Sequence, residues 1–114
     1  MRREPLPAMS LLSVQLVVRP QRAEQLCQRL LASGWFEELT AVECRGYGRQ
    51  KGHLDDYDGD EYRIDFLPKV LITGVIPADR RDELVELVCR IGRTGRIGDG
   101  KIFLLPVTAL DFVA

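Results

Sequence analysis

Four strand-like stretches and two helix-like stretches follow one another along the chain, and their order constrains the fold more than any other feature. Leu12, Val14, Leu16 and Val18 alternate with Ser13, Gln15 and Val17, the period of a strand with one buried face. Pro20 closes it. Ala23, Leu26, Cys27, Leu30 and Leu31 then recur at the spacing of one helical face, and Gly34 stands where a helix C-terminus takes a left-handed residue. From Phe36 to Tyr47 the pattern is again that of a strand, with Thr40, Val42 and Cys44 on one face and Glu43 and Arg45 on the other. Ile64 to Ile76 reads as a third strand interrupted by Pro68 and Gly74. Pro77-Ala78-Asp79 opens a second helix, with Asp79 as its N-cap and Asp82 and Glu83 suited to the first-turn dipole. Leu84, Leu87, Val88 and Ile91 form its apolar stripe, and Ile102 to Val107 is the last strand. The order β-α-β-β-α-β predicts an α+β, ferredoxin-like sandwich with both helices on one face of the sheet.

That arrangement leaves the other face uncovered, and the stretch from Val70 to Ile76 is too apolar for a wet surface. Self-association is expected. A length of 114 residues allows one domain. Residues 1–10 read as an N-terminal extension and residues 11–114 as the domain. Within it, residues 48–63 lack apolar periodicity and read as a long exposed loop, of a length usually tied to function or disorder. A hydrophobic fraction of 46% excludes wholesale disorder, and a net charge of −1 argues against coating nucleic acid or anionic membrane. No apolar run approaches the ~20 residues of a membrane span, and no signal core follows Arg2 and Arg3. Cys27, Cys44 and Cys89 are widely spaced and odd in number, unlike a disulfide framework or a zinc site. Cys44 and Cys89 fall on apolar faces and read as core residues. The expectation is a reduced, cytoplasmic domain without membrane insertion.

Three motifs invite chemistry. Gly95-Arg96-Ile97-Gly98-Asp99-Gly100-Lys101 has glycines that let backbone N–H groups approach an anion, with Arg96 and Lys101 supplying charge. Ile102 replaces the magnesium-binding Ser/Thr of a P-loop, and the stretch runs from helix to strand, so a P-loop ATPase is excluded. Phosphate binding and a plain connection with tight turns both remain open. Arg45-Gly46-Tyr47-Gly48 copies the start of an RNA-recognition signature, but Arg49-Gln50-Lys51-Gly52 lacks the aromatic residues on which bases stack. The acidic run Asp55–Glu61 fails the EF-hand register, with Leu54 at the first ligand position and Asp65 at the last. His53 has no partnered nucleophile, and no acid–base pair emerges. A small ferredoxin-like enzyme acting on phosphorylated compounds is therefore disfavoured.

Three blocks carry a resemblance: Gly46-Tyr47-Gly48-Arg49-Gln50-Lys51-Gly52-His53, then Asp60-Glu61-Tyr62-Arg63-Ile64-Asp65-Phe66-Leu67-Pro68-Lys69-Val70, then Thr94-Gly95-Arg96-Ile97-Gly98-Asp99-Gly100-Lys101-Ile102-Phe103. Together they resemble the PII signal-transduction proteins from about Leu12 to Val107. The resemblance implies a non-enzymatic ferredoxin-like homotrimer with ATP or ADP bound in clefts between subunits. It implies that the long loop, residues 48–63, docks onto a target enzyme or transporter. It assigns nucleotide contacts to Thr40, Gly48, Arg49, Gln50 and Val75, and to Thr94, Gly95, Arg96, Ile97, Gly98, Asp99, Gly100 and Lys101. Gln50 matches a glutamine that joins the magnesium shell and 2-oxoglutarate, Lys69 matches a lysine facing the 2-oxoglutarate carboxylate, and Tyr62 matches a tyrosine that many bacterial members have uridylylated. Docking alone is an equal reading of Tyr62.

The chain departs from the pattern at its C-terminal side. Nitrogen-branch members carry arginines there that reach the nucleotide phosphates, whereas Leu110-Asp111-Phe112-Val113-Ala114 has none. The family's closing strand is expected to be missing or replaced. ADP or AMP is then expected to bind at least as well as ATP, with 2-oxoglutarate binding weak. PII-like variants linked to carboxysomes or bicarbonate uptake are the alternative biological role, with bicarbonate as a ligand near Lys69 and Gln50.

Overall fold

A computed structural model describes residues 2–3, 10–51, 62–93 and 100–113. The elements in chain order are β1 (Arg2–Arg3), β2 (Leu11–Val18), α1 (Pro20–Ala32), β3 (Thr40–Lys51), β4 (Tyr62–Pro77), a 3-10 turn (Ala78–Arg80), α2 (Arg81–Gly92), β5 (Gly100–Pro106) and β6 (Asp111–Phe112). Four strands form an antiparallel sheet in the order β3-β4-β2-β5, and β1 pairs with β6 in a separate two-stranded ribbon. This is the ferredoxin-like sandwich that the hydrophobic periods require.

The alternation of β2 places Val14, Leu16 and Val18 against the helices, where all three are buried. Val70, Ile72 and Ile76 of β4 join them, with Ala23, Leu26 and Leu30 of α1 and Leu84, Leu87, Val88 and Ile91 of α2. The stripe read on α2 is buried in full. On α1 it is narrower: Leu31 is 47% exposed, because one residue past Leu30 turns about 100° around the helix axis. Proline at the first helical position suits α1, whose N-cap Arg19 is extended. Its C-terminus is closed by Gly34 at φ +80, as expected, with the Gly34 N–H donating to the Leu31 carbonyl at 3.3 Å. The Ser33 hydroxyl completes that cap. It donates to the Leu30 carbonyl at 2.5 Å and accepts from the Trp35 N–H at 3.1 Å, a side-chain bridge where a backbone bond would otherwise close the turn.

Four expectations are corrected. Phe36 is not in the second strand, which starts at Thr40. It is 4% exposed in the turn before β3 and lies over Gly74, where a Cβ would come within 2.7 Å of Phe36 Cδ1 and 2.8 Å of Leu39 Cδ2. Apolarity alone does not separate a strand residue from one plugging the sheet from a turn. The loop of residues 48–63 is shorter than expected, since Gly48–Lys51 pair with Tyr62–Asp65 as an antiparallel ladder. Glycine and charge obscure this ladder, because backbone pairing needs no apolar period. Asp79 is not an N-cap, because a 3-10 turn intervenes, Arg80 takes the N-cap place and no side-chain cap bond forms. The Ala78 N–H instead donates to the Ser10 carbonyl at 2.8 Å. Cys44 is half-buried on the sheet face away from the helices and not in the core.

The wedge of Phe36 and Leu39 over Gly74 generates a stability prediction. Gly74→Ala should cost about 1–3 kcal/mol through overpacking, read as a lower urea midpoint. Gly74→Ala combined with Phe36→Leu should cost less than the sum of the two single changes.

Candidate functional site

The glycine-rich stretch spans the gap between α2 and β5. Thr94, Gly95, Arg96, Ile97, Gly98 and Asp99 lie outside the described residues, and both of their anchors are inside them. On the helix side, the Arg93 N–H donates to the Cys89 carbonyl at 3.2 Å, and Arg93 itself turns to an extended conformation. Arg90 and Arg93 place positive charge beside the carbonyl end of α2, which complements the helix dipole. On the strand side, Gly100 pairs with Val18 and has φ +150. A Cβ there would run into the Val17 carbonyl oxygen, so only glycine lets β5 begin this close to β2. Lys101 follows, exposed and opposite Val17.

Between the anchors lies a cleft of about 150 Å³, lined by Arg93, Gly100 and Lys101 together with Val18, Val88, Cys89 and Ile102. Cys89 therefore lines this cleft. Cys27 is held on α1, where burial pushes its thiol pKa up. Among the described residues, no group of three His, Cys, Asp or Glu could hold a metal ion, and no helix is long and apolar enough to cross a membrane.

The remaining expected contacts fall on the open face of the sheet. Thr40 sits opposite Thr73, Val75 is two residues further along β4 on the same face, and Val42, Leu71, Val17 and Lys101 form a row across all four strands. Sheet spacings put Lys101 roughly 16 Å from both Thr40 and Val75. One phosphate or one base cannot touch both groups. A ligand that does so must be long, or it must combine residues from two copies.

The effector residues are also spread out. Lys69 pairs with Cys44, while Gly48, Arg49 and Gln50 pair with Asp65, Ile64 and Arg63, and Tyr62 pairs with Lys51. Gln50 is six ladder positions beyond Cys44, about 20 Å along the strand. β2 ends at Val18, opposite Val70, so this part of the β3–β4 hairpin projects from the sheet as a two-stranded arm. In its extended form the arm keeps Gln50 and Lys69 apart.

Residues 11–113 match the family described as nitrogen regulatory protein P-II. The chain belongs to the P-II family. It is 43% identical over 91 residues to nitrogen regulatory protein GlnK of Escherichia coli (strain K12), covering 80% of each chain. It is 42% identical over 94 residues to nitrogen regulatory protein P-II 1 of the same strain, covering 82% of this chain and 83% of the relative. Among solved structures, the GlnK–ATP complex of B. subtilis superposes with a TM-score of 0.69 at 29% identity, covering 87% and 85% of the two chains. Arabidopsis thaliana PII bound to citrate superposes with a TM-score of 0.65 at 32% identity, covering 90% and 82%. Membership makes the two anchored ends of the P-II glycine loop, and the arm, the parts of this chain to test.

The signal for the arm was in the sequence all along. Gly48 to Lys51 and Tyr62 to Asp65 lie in the blocks that carry the family resemblance, yet their polarity hid the ladder. Nothing in a hydrophobic period marks Gly100 as the residue that meets the Val17 carbonyl. Gly100→Ala should therefore displace the start of β5. In hydrogen exchange the Lys101 and Ile102 amides should lose at least tenfold protection, while the amides of Leu104 and Leu105 change little.

Proposed function

We propose that this P-II protein is a non-catalytic regulator that binds an adenine nucleotide in clefts between the subunits of a homotrimer. Residues 48–63 transmit the bound state to a target enzyme or transporter in the cytoplasm. The observation that carries the reading is the geometry of the anchors. Arg93 and Gly100–Lys101 hold the ends of a glycine loop, with backbone approach at Gly100 that no other residue permits, and the similar B. subtilis GlnK was solved with ATP. Backbone N–H groups of residues 98–101, with Arg96 and Lys101, would take the inner phosphates. The separation of Lys101 from Thr40 and Val75 supports a site completed by a second subunit. The apolar open face supports the assembly, with Val42 50% exposed and Phe103 and Leu105 each 47% exposed.

The nucleotide preference follows from the segment after Lys101. Residues 102–114 hold no arginine or lysine, and Asp111–Phe112 form β6 against Arg2–Arg3. A hydrogen bond from a charged group is worth about 1.5–3 kcal/mol, so each missing cation at the outer phosphates costs about tenfold to a hundredfold in affinity. ADP or AMP then binds at least as well as ATP. Magnesium with Gln50, and 2-oxoglutarate with Lys69, contribute little. This departure also favours the second reading, a sensor of the inorganic-carbon state in which bicarbonate uses the surroundings of Lys69 and Gln50. Tyr62, on the strand that leads out of residues 52–61, serves docking or modification.

Two measurements test these readings. Light scattering at micromolar concentration should return a trimer, and a stable monomer would remove both the assembly and the shared site. Calorimetry with AMP, ADP and ATP, each with and without magnesium, 2-oxoglutarate and bicarbonate, should show ADP or AMP binding no more weakly than ATP. Clear preference for ATP, followed by tight 2-oxoglutarate binding, would make this an ordinary nitrogen sensor.

A further inference from the structure

Gly46 stands in the middle of β3, where a strand has no local use for glycine. Its backbone is not in the left-handed region. Its pairing with Leu67 belongs to an unbroken register from Thr40–Thr73 to Lys51–Tyr62, so neither a turn nor a bulge calls for it. A glycine inside a strand costs stability, and its remaining use is to let another group come close. That group is Lys69. A Cβ at residue 46 would lie 3.3 Å from Lys69 Cγ and 3.7 Å from Lys69 Cε, so the lysine stem is laid lengthwise over the bare backbone. Lys69 pairs with Cys44, and Gly46 is two residues further towards the arm. The stem therefore leaves its own ladder position and runs diagonally towards the arm's root. Lys69 is half-buried, as a lysine is when its methylenes cover a surface and its charge stays in water.

A lysine stem is flexible, and fixing it on a ligand costs side-chain entropy. Where the protein has already laid the stem down, an anion meets an ammonium whose position is set beforehand. Gly48, the next residue of β3 on the same face, also lacks a side chain, so β3 places no side chain ahead of the stem. We propose that Gly46 is a positioning residue: its missing side chain is the notch that holds the Lys69 stem flat and sets where the ammonium meets a small anion at the root of the arm. Gly46 belongs to none of the contacts assigned above. The proposal rests on the reading of Lys69 as an anion contact and adds to it the residue that aims it.

The chain has three lysines, Lys51, Lys69 and Lys101, so lysine isotope-labelled at Cε gives three NMR signals, and Lys69→Arg identifies the one from Lys69. In the wild type the two ε protons of Lys69 should be resolved from each other and show a nuclear Overhauser contact to the Gly46 α protons. In Gly46→Ala the stem must give way, and its ε protons should average as in a solvated lysine, with the Leu16 and Ile72 amides left in place. Bicarbonate, followed by the Lys69 signal, should bind Gly46→Ala about two- to tenfold more weakly than the wild type, the cost of ordering one long side chain. Stability separates the notch from strand propensity. Gly46→Ala should raise the urea midpoint in a Lys69→Ala background, and raise it less or lower it when Lys69 is present. Averaged ε protons in the wild type, a reading that needs no variant to fold, would overturn the positioning role. So would equal effects of Gly46→Ala on the midpoint in the two backgrounds. In either case a Lys69 signal that still moves with bicarbonate would leave the anion reading of Lys69 standing. A resolved stem whose signal ignores bicarbonate would overturn that reading and the proposal with it.

Discussion

The central strand β2 is the constraint on which the rest of the structure depends. It is paired along its length on both sides, to β4 from Leu11–Pro77 to Val18–Val70 and to β5 from Leu12–Pro106 to Val18–Gly100. Its inward residues Val14, Leu16 and Val18 are at most 2% exposed, so a one-residue slip would send all three to the open face. Register along β2 therefore fixes where β5 begins, where the glycine loop is anchored, and how far β4 can run before it leaves the sheet. The edges of the ladder are tied by single bonds of the same kind: Val107 N–H to the Leu11 carbonyl at 3.1 Å, and Ala78 N–H to the Ser10 carbonyl at 2.8 Å.

Beyond Val70 the balance of forces changes. The inner half of β4 is stabilised by burial against α1 and α2, while from Tyr62 to Lys69 its ladder partner is β3 alone. A two-stranded ribbon is marginal in water, so this part of the arm has far less holding it than the sheet from which it grows. Exposed ion pairs elsewhere, such as Arg80–Glu83 at 3.0 Å and Arg90–Glu86 at 3.5 Å, add little to stability. The molecule thus joins a rigid sandwich to a weakly held projection that starts at Lys69. A segment that must change shape on meeting a ligand or a target is drawn from the low-stability end of a fold.

The parts of this design that depend on burial were legible in the sequence. The alternation in β2, the α2 stripe and the β-α-β-β-α-β order each reflect one face that must avoid water, and the hydrophobic period reports that directly. The parts that depend on close approach or on polar pairing were not. Gly74 looked like an interruption of a strand, and it is the place where Phe36 and Leu39 settle onto the sheet. Residues 1–10 read as an appendage, yet Arg2 and Arg3 pair with Phe112 and Asp111. Of the candidate site, motif likeness pointed to the glycine loop. Only the folded structure shows that its strand-side anchor meets the Val17 carbonyl, or that Lys101 and Thr40 sit on opposite edges of one face.

That last arrangement brings the open face and the cleft between the loop anchors together at one end of β2. Val17 belongs to the open face, its carbonyl oxygen abuts Gly100, and the next residue, Val18, forms a wall of the cleft between the loop anchors. In the proposed trimer, a copy packing on the open face and an anion held between the loop anchors would bear on the two sides of the same strand end. Close-packed interiors deform little before they rearrange. A shift of β2 at Val17 would move Gly100 with it, because the two backbones are already at contact and no side chain lies between them to absorb the change. The lysine that follows, Lys101, projects to the face that a neighbouring copy would cover. The open face and the cleft thus meet on consecutive residues of β2, and Gly100, for having no side chain, is what lets β5 begin beside them.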